Sequence, residues 1–231
     1  MYLPYMFYDS TMLILIPAII LTLYAQSKVK TNFEKYMRVQ TRRGYTGAEV
    51  ARMLLNQNGL NDVPIETARG QLGDHYDPAK RVLRLSGGVS QGSSIASVSV
   101  AAHEVGHAIQ HANGYVPLSL RNIVFPLARF GSSAAWIFIL VGLMIPSLGD
   151  LMDIGILLFS AAVLFQLITL PVEFNASSRA LEMLDANGYI YDEEKKGAQN
   201  VLRAAALTYV AAMASGLAQL MRLILIRNRR R

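Results

Sequence analysis

Two parts of the chain are apolar, contain no basic residues and are long enough to include membrane-spanning helices. Thr11–Ala25 holds 15 uncharged residues and is preceded by the aromatic-rich run YLPYMFY. The stretch Gly131–Val172 is interrupted by PSLGDLMD at 146–153, which leaves candidate spans at about 131–147 and 154–172. Each can cross about 30 Å of hydrocarbon. The pattern therefore predicts three membrane helices, and the first is a retained anchor because no basic region precedes it.

A further apolar stretch, Ala204–Met221, leaves two interpretations open. It contains 18 uncharged residues, but Arg222 follows at once and the chain ends in ArgAsnArgArgArg. This tail would lie outside the cell if the stretch spanned the membrane. A membrane-surface or domain-packed helix fits as well as a fourth span, and on the surface the tail would lie near anionic lipid.

Cap signals predict helices in the polar part of the chain. Thr46 and Glu49 form a capping box ahead of a short amphipathic helix at 47–57. Asn–Gly pairs are typical helix ends, and acidic residues favour a helix start. On these signals, further helices are predicted at Ile95–Ala112, at Glu173–Ala186 and from Asp192 onward.

Only a small β element is expected. Val63–Ala68 and Arg81–Leu85 have the composition of short strands, and they flank turn chemistry at 73–80. The Gly/Ser-rich segment 86–94 matches no phosphate-binding pattern and is predicted to be a flexible connector. The expected fold is therefore mainly α, with three or four membrane helices and a minor two-stranded element.

Composition agrees with a membrane protein and excludes several other classes. Charged residues make up 16% of the chain, against about 25% in soluble domains. Cysteine is absent, which excludes a disulfide framework, a cysteine-ligated zinc site and a thiol nucleophile. The net charge of +6 does not indicate a nucleic-acid partner, because the bases flank apolar spans and no binding motif is present.

The positions of the basic residues predict the membrane orientation. Residues 26–129 hold 13 bases and 173–203 hold 4, whereas 1–25 and 130–172 hold none. Because basic loops stay in the cytoplasm, segments 26–129 and 173–203 are expected there. The N-terminus and the turn at 146–153 are expected outside. This predicts a multi-pass protein of the cell membrane.

The candidate chemistry lies in the apolar helix at 95–112, which contains HisGluValGlyHis at 103–107. His103 and His107 are one turn apart on one helix face, so both imidazoles can bind one metal ion. Glu104 can reach a metal-bound water and accept its proton. The spacing predicts a catalytic zinc ion with Glu104 as general base.

The third zinc ligand must come from elsewhere in the chain. His111 is about 12 Å along the helix axis from His103 and cannot share its metal. His75, Glu173 and Glu182 are the other candidates, and Glu173 is preferred because it directly follows an apolar span, where an unpartnered carboxylate is costly.

HEVGHAIQH, DHYDP with the following RLS, AQSKVK and PVEFNASSRA occur in this order along the chain. Together they resemble the YugP-type membrane-bound neutral zinc metallopeptidases, and the likeness covers nearly the whole chain. The sequence is more distantly similar to the HtpX and CAAX prenyl protease gluzincins. Their E-x-x-A-D motif, which begins with the glutamate ligand, corresponds here to Glu173 through Ser177, with Ser177 in place of the aspartate.

The resemblance implies peptide-bond hydrolysis by a zinc-activated water, with His103, His107 and Glu173 as ligands and Glu104 as base and proton donor. It also implies that an edge strand binds the substrate backbone, for which Arg81–Leu85 is the expected strand. His75 is a candidate for stabilising the oxyanion, the alternative being a simple turn histidine, and Tyr209 is another candidate.

These expectations give a working organisation and function. The predicted parts are an N-terminal membrane anchor (1–25), a cytoplasmic catalytic region (26–129), a two-helix membrane hairpin (130–172) and a third-ligand helix with the C-terminal apolar helix (173–231). The predicted function is a zinc endopeptidase at the cytoplasmic face, acting on proteins or peptides, membrane proteins included. The alternative is a membrane adaptor or chaperone-like protein that keeps zinc for structure.

Overall fold

The computed structural model describes residues 10–68 and 73–229 of the chain. The YLPYMFY run and the last two arginines lie outside the described residues. In chain order the elements are α1 (Ile16–Met37), α2 (Gly47–Gln57), β1 (Ile65–Thr67), β2 (His75–Asp77), β3 (Val82–Leu85), α3 (Gly87–Gln91), α4 (Ile95–Ala112), α5 (Val116–Met144), α6 (Asp150–Ala186) and α7 (Asp192–Asn228), with 3-10 turns at Ser10–Leu15 and Pro146–Leu148.

The chain divides into two compact units. The all-helical unit contains the described residues within Met1–Ala25, Leu120–Leu170 and Thr208–Arg231. The mixed unit contains Gln26–Ser119 and Pro171–Leu207, and with them the sheet and α4. The sequence-predicted boundaries at 129/130 and 172/173 fall within α5 and α6, which are continuous helices.

The core of the mixed unit forms around α4. Val50, Leu54 and Leu55 on α2 are fully buried against Val98 and Val105 on α4. The predicted capping box at the start of α2 is confirmed, since the Glu49 N–H donates to Thr46 Oγ1 and the Thr46 N–H donates to Glu49 Oε2. Capped helices with an apolar stripe give a fixed platform for α4.

The sheet has three strands rather than the two expected. Its order is β1–β3–β2, with β1 parallel and β2 antiparallel to β3. The segment 73–80 was expected to be only a turn, but His75–Asp77 forms the strand β2 because Val82–Leu85 provides the hydrogen-bonding partner. A three-residue strand exists only through such pairing, and its own sequence contains no signal for it.

The Gly/Ser-rich segment 86–94 is not a flexible connector, and this prediction was wrong. Residues Gly87–Gln91 form the short helix α3, with Val89 fully buried in the core of the mixed unit. Ser94 then caps α4 by accepting the Ser97 N–H at 3.1 Å. The small residues here allow close packing, as at Gly92, where an added Cβ would lie 2.5 Å from Ser97 Oγ.

Small residues bring the helices of the all-helical unit into contact. A Cβ on Gly155 would lie 2.8 Å from the Ala135 carbonyl oxygen, and one on Gly142 would lie 2.6 Å from the Met152 nitrogen. Ala135 and Met152 are accordingly buried. Backbone contact through small residues is how helices associate within lipid, where apolar side chains gain nothing by leaving the bilayer.

Within the described residues, four helices are long and apolar enough to cross a membrane: Ser10–Met37, Val116–Met144, Asp150–Ala186 and Asp192–Asn228. Large apolar side chains on them are exposed, with Ile123 at 73% and Leu157 at 72%. The segment Glu173–Ala186, expected as a separate helix, is the continuation of α6 through Pro171. A proline can lie inside a membrane helix when neighbouring groups satisfy the freed carbonyl.

The end of α7 lies beside the start of α6 within the all-helical unit. Arg227 donates to both carboxylate oxygens of Asp153, at 2.8 and 2.7 Å, and to Asp150 at 3.2 Å. Nearer the middle of the unit, Ser215 hydrogen-bonds Thr22 of α1 at 3.1 Å. These contacts show that α7 packs against α1 and α6 within the all-helical unit.

Candidate metal centre

The two histidines of the HExxH motif face the same side of α4. Their imidazole rings have centroids 4.8 Å apart and are nearly perpendicular. Both rings are largely buried, because α4 runs through the core of the mixed unit. The one-turn spacing thus presents two nitrogen ligands in a fixed arrangement, as the sequence predicts.

Glu173 of α6 completes a cluster of three ligand groups. Its Oε2 atom lies 3.3 Å from His103 Nε2 and 3.5 Å from His107 Nε2, and all three ligand atoms fall within 4.8 Å of one another. Metal–ligand bonds of about 2.0–2.1 Å in a tetrahedron place ligand atoms about 3.3 Å apart. The spacing and the two-imidazole, one-carboxylate donor set therefore fit a zinc ion.

A glycine allows α4 and α6 to approach closely enough for these ligands to meet. A Cβ built on Gly106 would lie 2.9 Å from the carbonyl oxygen of Ala176 and 3.2 Å from its Cα atom. Gly106 precedes His107 directly, and Ala176 follows Glu173 by less than one turn. The second variable position of the motif, Gly106, thus controls the distance between the histidines and the carboxylate.

Each histidine has a hydrogen-bonding partner at Nδ1, which leaves Nε2 for the metal. His107 Nδ1 lies 3.0 Å from Gln110 Oε1, and His103 Nδ1 lies 3.2 Å from Ser177 Oγ. Partners of this kind fix the tautomer and orientation of metal-binding histidines. Ser177, at the position where the E-x-x-A-D motif has aspartate, thus places a hydroxyl beside His103.

The electrostatics of the cluster favour a positive charge. Burial by itself lowers the pKa of His107, but the hydrogen bond to Glu173 and the attraction of Glu104 and Glu173 outweigh it and raise that pKa above its usual value. In the absence of a metal, a proton bound to His107 supplies part of this positive charge. A divalent cation satisfies it more fully, since it neutralises two buried carboxylates.

Glu104 is also buried, and a backbone donor holds its carboxylate. The Tyr76 N–H on β2 donates to Glu104 Oε2 at 3.0 Å. The strand facing Glu104 is therefore β2, and the expectation that Arg81–Leu85 is the substrate-binding edge was wrong. Val82–Leu85 is the central strand, hydrogen-bonded on both sides, so its backbone is not accessible to a peptide.

The remaining predicted residues lie outside the ligand cluster. His75 is exposed on β2, with Nδ1 2.7 Å from the Gly73 carbonyl oxygen and Nε2 3.3 Å from Arg84 Nη1. Its role as an oxyanion stabiliser stays a prediction. Glu182 is nine residues beyond Glu173 on α6, about 13 Å along the axis, and Tyr209 belongs to the all-helical unit.

His111, which cannot share the metal of His103, is partly buried near the end of α4. Its Nδ1 lies 2.9 Å from the Tyr76 hydroxyl, so this pair joins the end of α4 to β2. Sequence reasoning also missed Gln110. The available signal was an amide side chain within an otherwise apolar stretch of helix, three residues after a candidate metal ligand.

The helices and the site together define an integral membrane protein of mainly helical fold, with a two-histidine, one-carboxylate site on a HExxH helix. Comparison with known families and proteins gives the same class. The chain belongs to the family described as "putative neutral zinc metallopeptidase", whose model matches residues 11–228.

A curated relative supports this assignment over most of the sequence. The chain is 54% identical over 211 residues to the protein named "Putative membrane protease YugP" of Bacillus subtilis (strain 168). The matched region covers 91% of this chain and 93% of the relative. No solved structure matches the chain.

Proposed function

We propose that the protein is a zinc-dependent endopeptidase of the cell membrane. The observation that carries this proposal is the convergence of His103 Nε2, His107 Nε2 and Glu173 Oε2 beside the buried carboxylate of Glu104. Two histidines and one glutamate are a donor set of catalytic zinc sites, which leave the fourth position open. The family and the membrane protease relative support the same reaction.

His103, His107 and Glu173 would hold the ion. Zinc bound there would supply Lewis acidity toward a peptide carbonyl and make a water molecule more acidic. Glu104 would accept the proton of the attacking water and then pass it to the leaving amine. The Tyr76 N–H keeps the Glu104 carboxylate in place for both transfers, since it fixes one oxygen and leaves the other for the water.

The position of β2 supports an extended peptide as substrate. It is an edge strand of the sheet, and the Tyr76 N–H points away from β3 toward Glu104. A peptide that added to this edge would bring its backbone close to the proposed base. The proposed substrates are therefore proteins and peptides, including unstructured parts of membrane proteins. Nucleic acids are not proposed as partners.

We further propose that four spans cross the cell membrane with the site at the cytoplasmic face. The bases at 26–129 and 173–203 support this orientation, as does the position of Glu173 directly after an apolar stretch. Reporter fusions can test it. A fusion after residue 60 should report the cytoplasm and one within 146–153 the exterior, whereas the reverse result would overturn the orientation.

The substitution Glu104→Gln tests the peptidase proposal directly. It removes the base but keeps the size of the side chain and leaves the three proposed ligands intact. The variant purified in detergent should retain zinc in near-stoichiometric amount and lose cleavage of an unstructured test protein, here casein. Equal cleavage by the unaltered chain and the variant would refute the proposed mechanism. Zinc binding without cleavage by either would favour the adaptor alternative.

A further inference from the structure

Gln110 is a fully buried amide that connects the proposed metal centre to α6. It is 0% exposed on α4, three residues after His107. Its Oε1 lies 3.0 Å from His107 Nδ1, and its Nε2 lies 2.8 Å from the Val172 carbonyl oxygen and 3.0 Å from Asn175 Oδ1. A buried polar side chain that satisfies all of its partners is rigidly held.

The donors and acceptors around this amide determine which way it points. The Val172 carbonyl can only accept a hydrogen bond. Asn175 Oδ1 also accepts one from Arg179 Nε at 2.8 Å, and a guanidinium group can only donate. The Gln110 nitrogen must therefore face these two acceptors, which directs its oxygen toward His107.

A fixed Gln110 oxygen in turn fixes the proton of His107. Because Oε1 is an acceptor, Nδ1 of His107 must carry a hydrogen and donate it. The lone pair of the neutral imidazole is then on Nε2, the atom 3.5 Å from Glu173 Oε2. The chain of hydrogen bonds from Arg179 through Asn175 and Gln110 thus ends at His107 Nδ1 and leaves Nε2 to bind the metal.

We propose that Gln110 is a positioning residue that holds His107 in its metal-binding tautomer and orientation. This inference rests on the proposed function in so far as it takes the cluster to be a zinc site. The competing explanation is that Gln110 only ties α4 to α6 through the Val172 carbonyl. The two explanations involve different ends of the amide, so substitutions can separate them.

Two substitutions at Gln110 provide the test. Gln110→Met keeps the length but removes the acceptor for His107. Removal of such a partner typically lowers metal affinity about 10–100-fold, and this fall is the expected result. Gln110→Glu keeps an acceptor for the Nδ1 hydrogen and should recover most of the affinity. If Gln110→Met does not fold, Gln110→Asn replaces it, since its shorter amide cannot reach both His107 and Val172.

The measurements are zinc affinity by competition with a chelator and the visible absorption spectrum of the Co²⁺-substituted full chain in detergent. The spectrum reports ligand geometry. The comparison of Gln110→Met with Gln110→Glu separates the two explanations, because both variants lose the amide N–H that binds the Val172 carbonyl and only Gln110→Glu keeps an acceptor for His107. The matched control is Gln57→Met, which removes an amide that hydrogen-bonds Tyr189 in the same unit and should leave affinity and spectrum unchanged.

Each outcome decides the question. Unchanged affinity in Gln110→Met, equal losses in Gln110→Met and Gln110→Glu, or an equal loss in the Gln57 control would overturn the positioning role. If the unaltered chain binds zinc but cleaves nothing, only the peptidase proposal fails, because the affinity measurements still decide the role of Gln110. If the unaltered chain binds no zinc, both proposals fall.

Discussion

The close approach of α4 and α6 at Gly106 predicts that a single methyl group disrupts the metal centre. In Gly106→Ala the new Cβ would lie 2.9 Å from the Ala176 carbonyl oxygen, whereas ordinary contact begins at 3.4 Å. The helices must therefore separate locally by about 0.5 Å, given the difference between these two distances. Overpacking of this kind typically costs about 1–3 kcal/mol.

The same separation acts directly on the ligand distances. Gly106 lies between His103 and His107, and Ala176 is three residues beyond Glu173, so a displacement at the contact reaches all three ligands. The distances of 3.3 and 3.5 Å from Glu173 Oε2 to the two imidazoles would lengthen by up to about 0.5 Å. Metal–ligand bonds tolerate only about 0.2 Å.

We expect zinc affinity to fall about 5–150-fold in Gly106→Ala, because the binding of zinc must oppose strain of about 1–3 kcal/mol. Competition with a chelator measures this in the purified chain. The matched control is Gly87→Ala on α3, where an added Cβ meets nothing within 4 Å and affinity should be unchanged. If Gly106→Ala binds zinc as tightly as the control, the close helix contact does not determine the geometry of the site.

Two further predictions concern the histidines. The Ser177 hydroxyl lies 3.2 Å from His103 Nδ1. Zinc affinity, measured by chelator competition, should therefore be highest in Ser177→Asp, intermediate in the unaltered chain and lowest in Ser177→Ala, because a carboxylate raises the basicity of the imidazole most. Any other order would contradict this role of Ser177. Zinc and a proton compete for His107, whose pKa is raised by Glu173 and Glu104 against the effect of burial. Zinc content after equilibrium dialysis should therefore be constant above that pKa and fall as the pH decreases through it, and a pH-independent content would show that this competition is absent.

Features set by local chemistry could be predicted from the sequence. The helix at 47–57 follows from Thr46 and Glu49, which satisfy the backbone groups of its first turn within four residues. The helix at 95–112 likewise ends at an Asn–Gly pair, and its Gly114 has a φ of 59°. The position of Glu173 beside the two histidines could be predicted, because a carboxylate directly after an apolar span requires a partner.

Features set by distant partners could not be predicted. β2 exists only because β3 pairs with it, and its neighbour in space is Glu104 on α4 rather than any residue nearby in sequence. A separate helix was expected from Glu173 onward, yet α6 continues from the apolar span through Pro171 and Glu173. The orientation of Gln110 depends on Asn175 and Arg179, which are more than sixty residues away.

The C-terminal arginines illustrate why the charge of a segment must be considered together with its partners. A fourth span places five bases on the outer side, against 17 in the two segments assigned to the cytoplasm, so the proposed orientation retains a large excess of inner bases. Arg227 is paired with Asp150 and Asp153 in the first turn of α6, which offsets its charge locally. The two aspartates provide the partner that an arginine at this position requires. This pairing places Arg227 and the start of α6 on the same side, which is compatible with the proposed orientation, although the net charges of the two segments considered separately point in opposite directions.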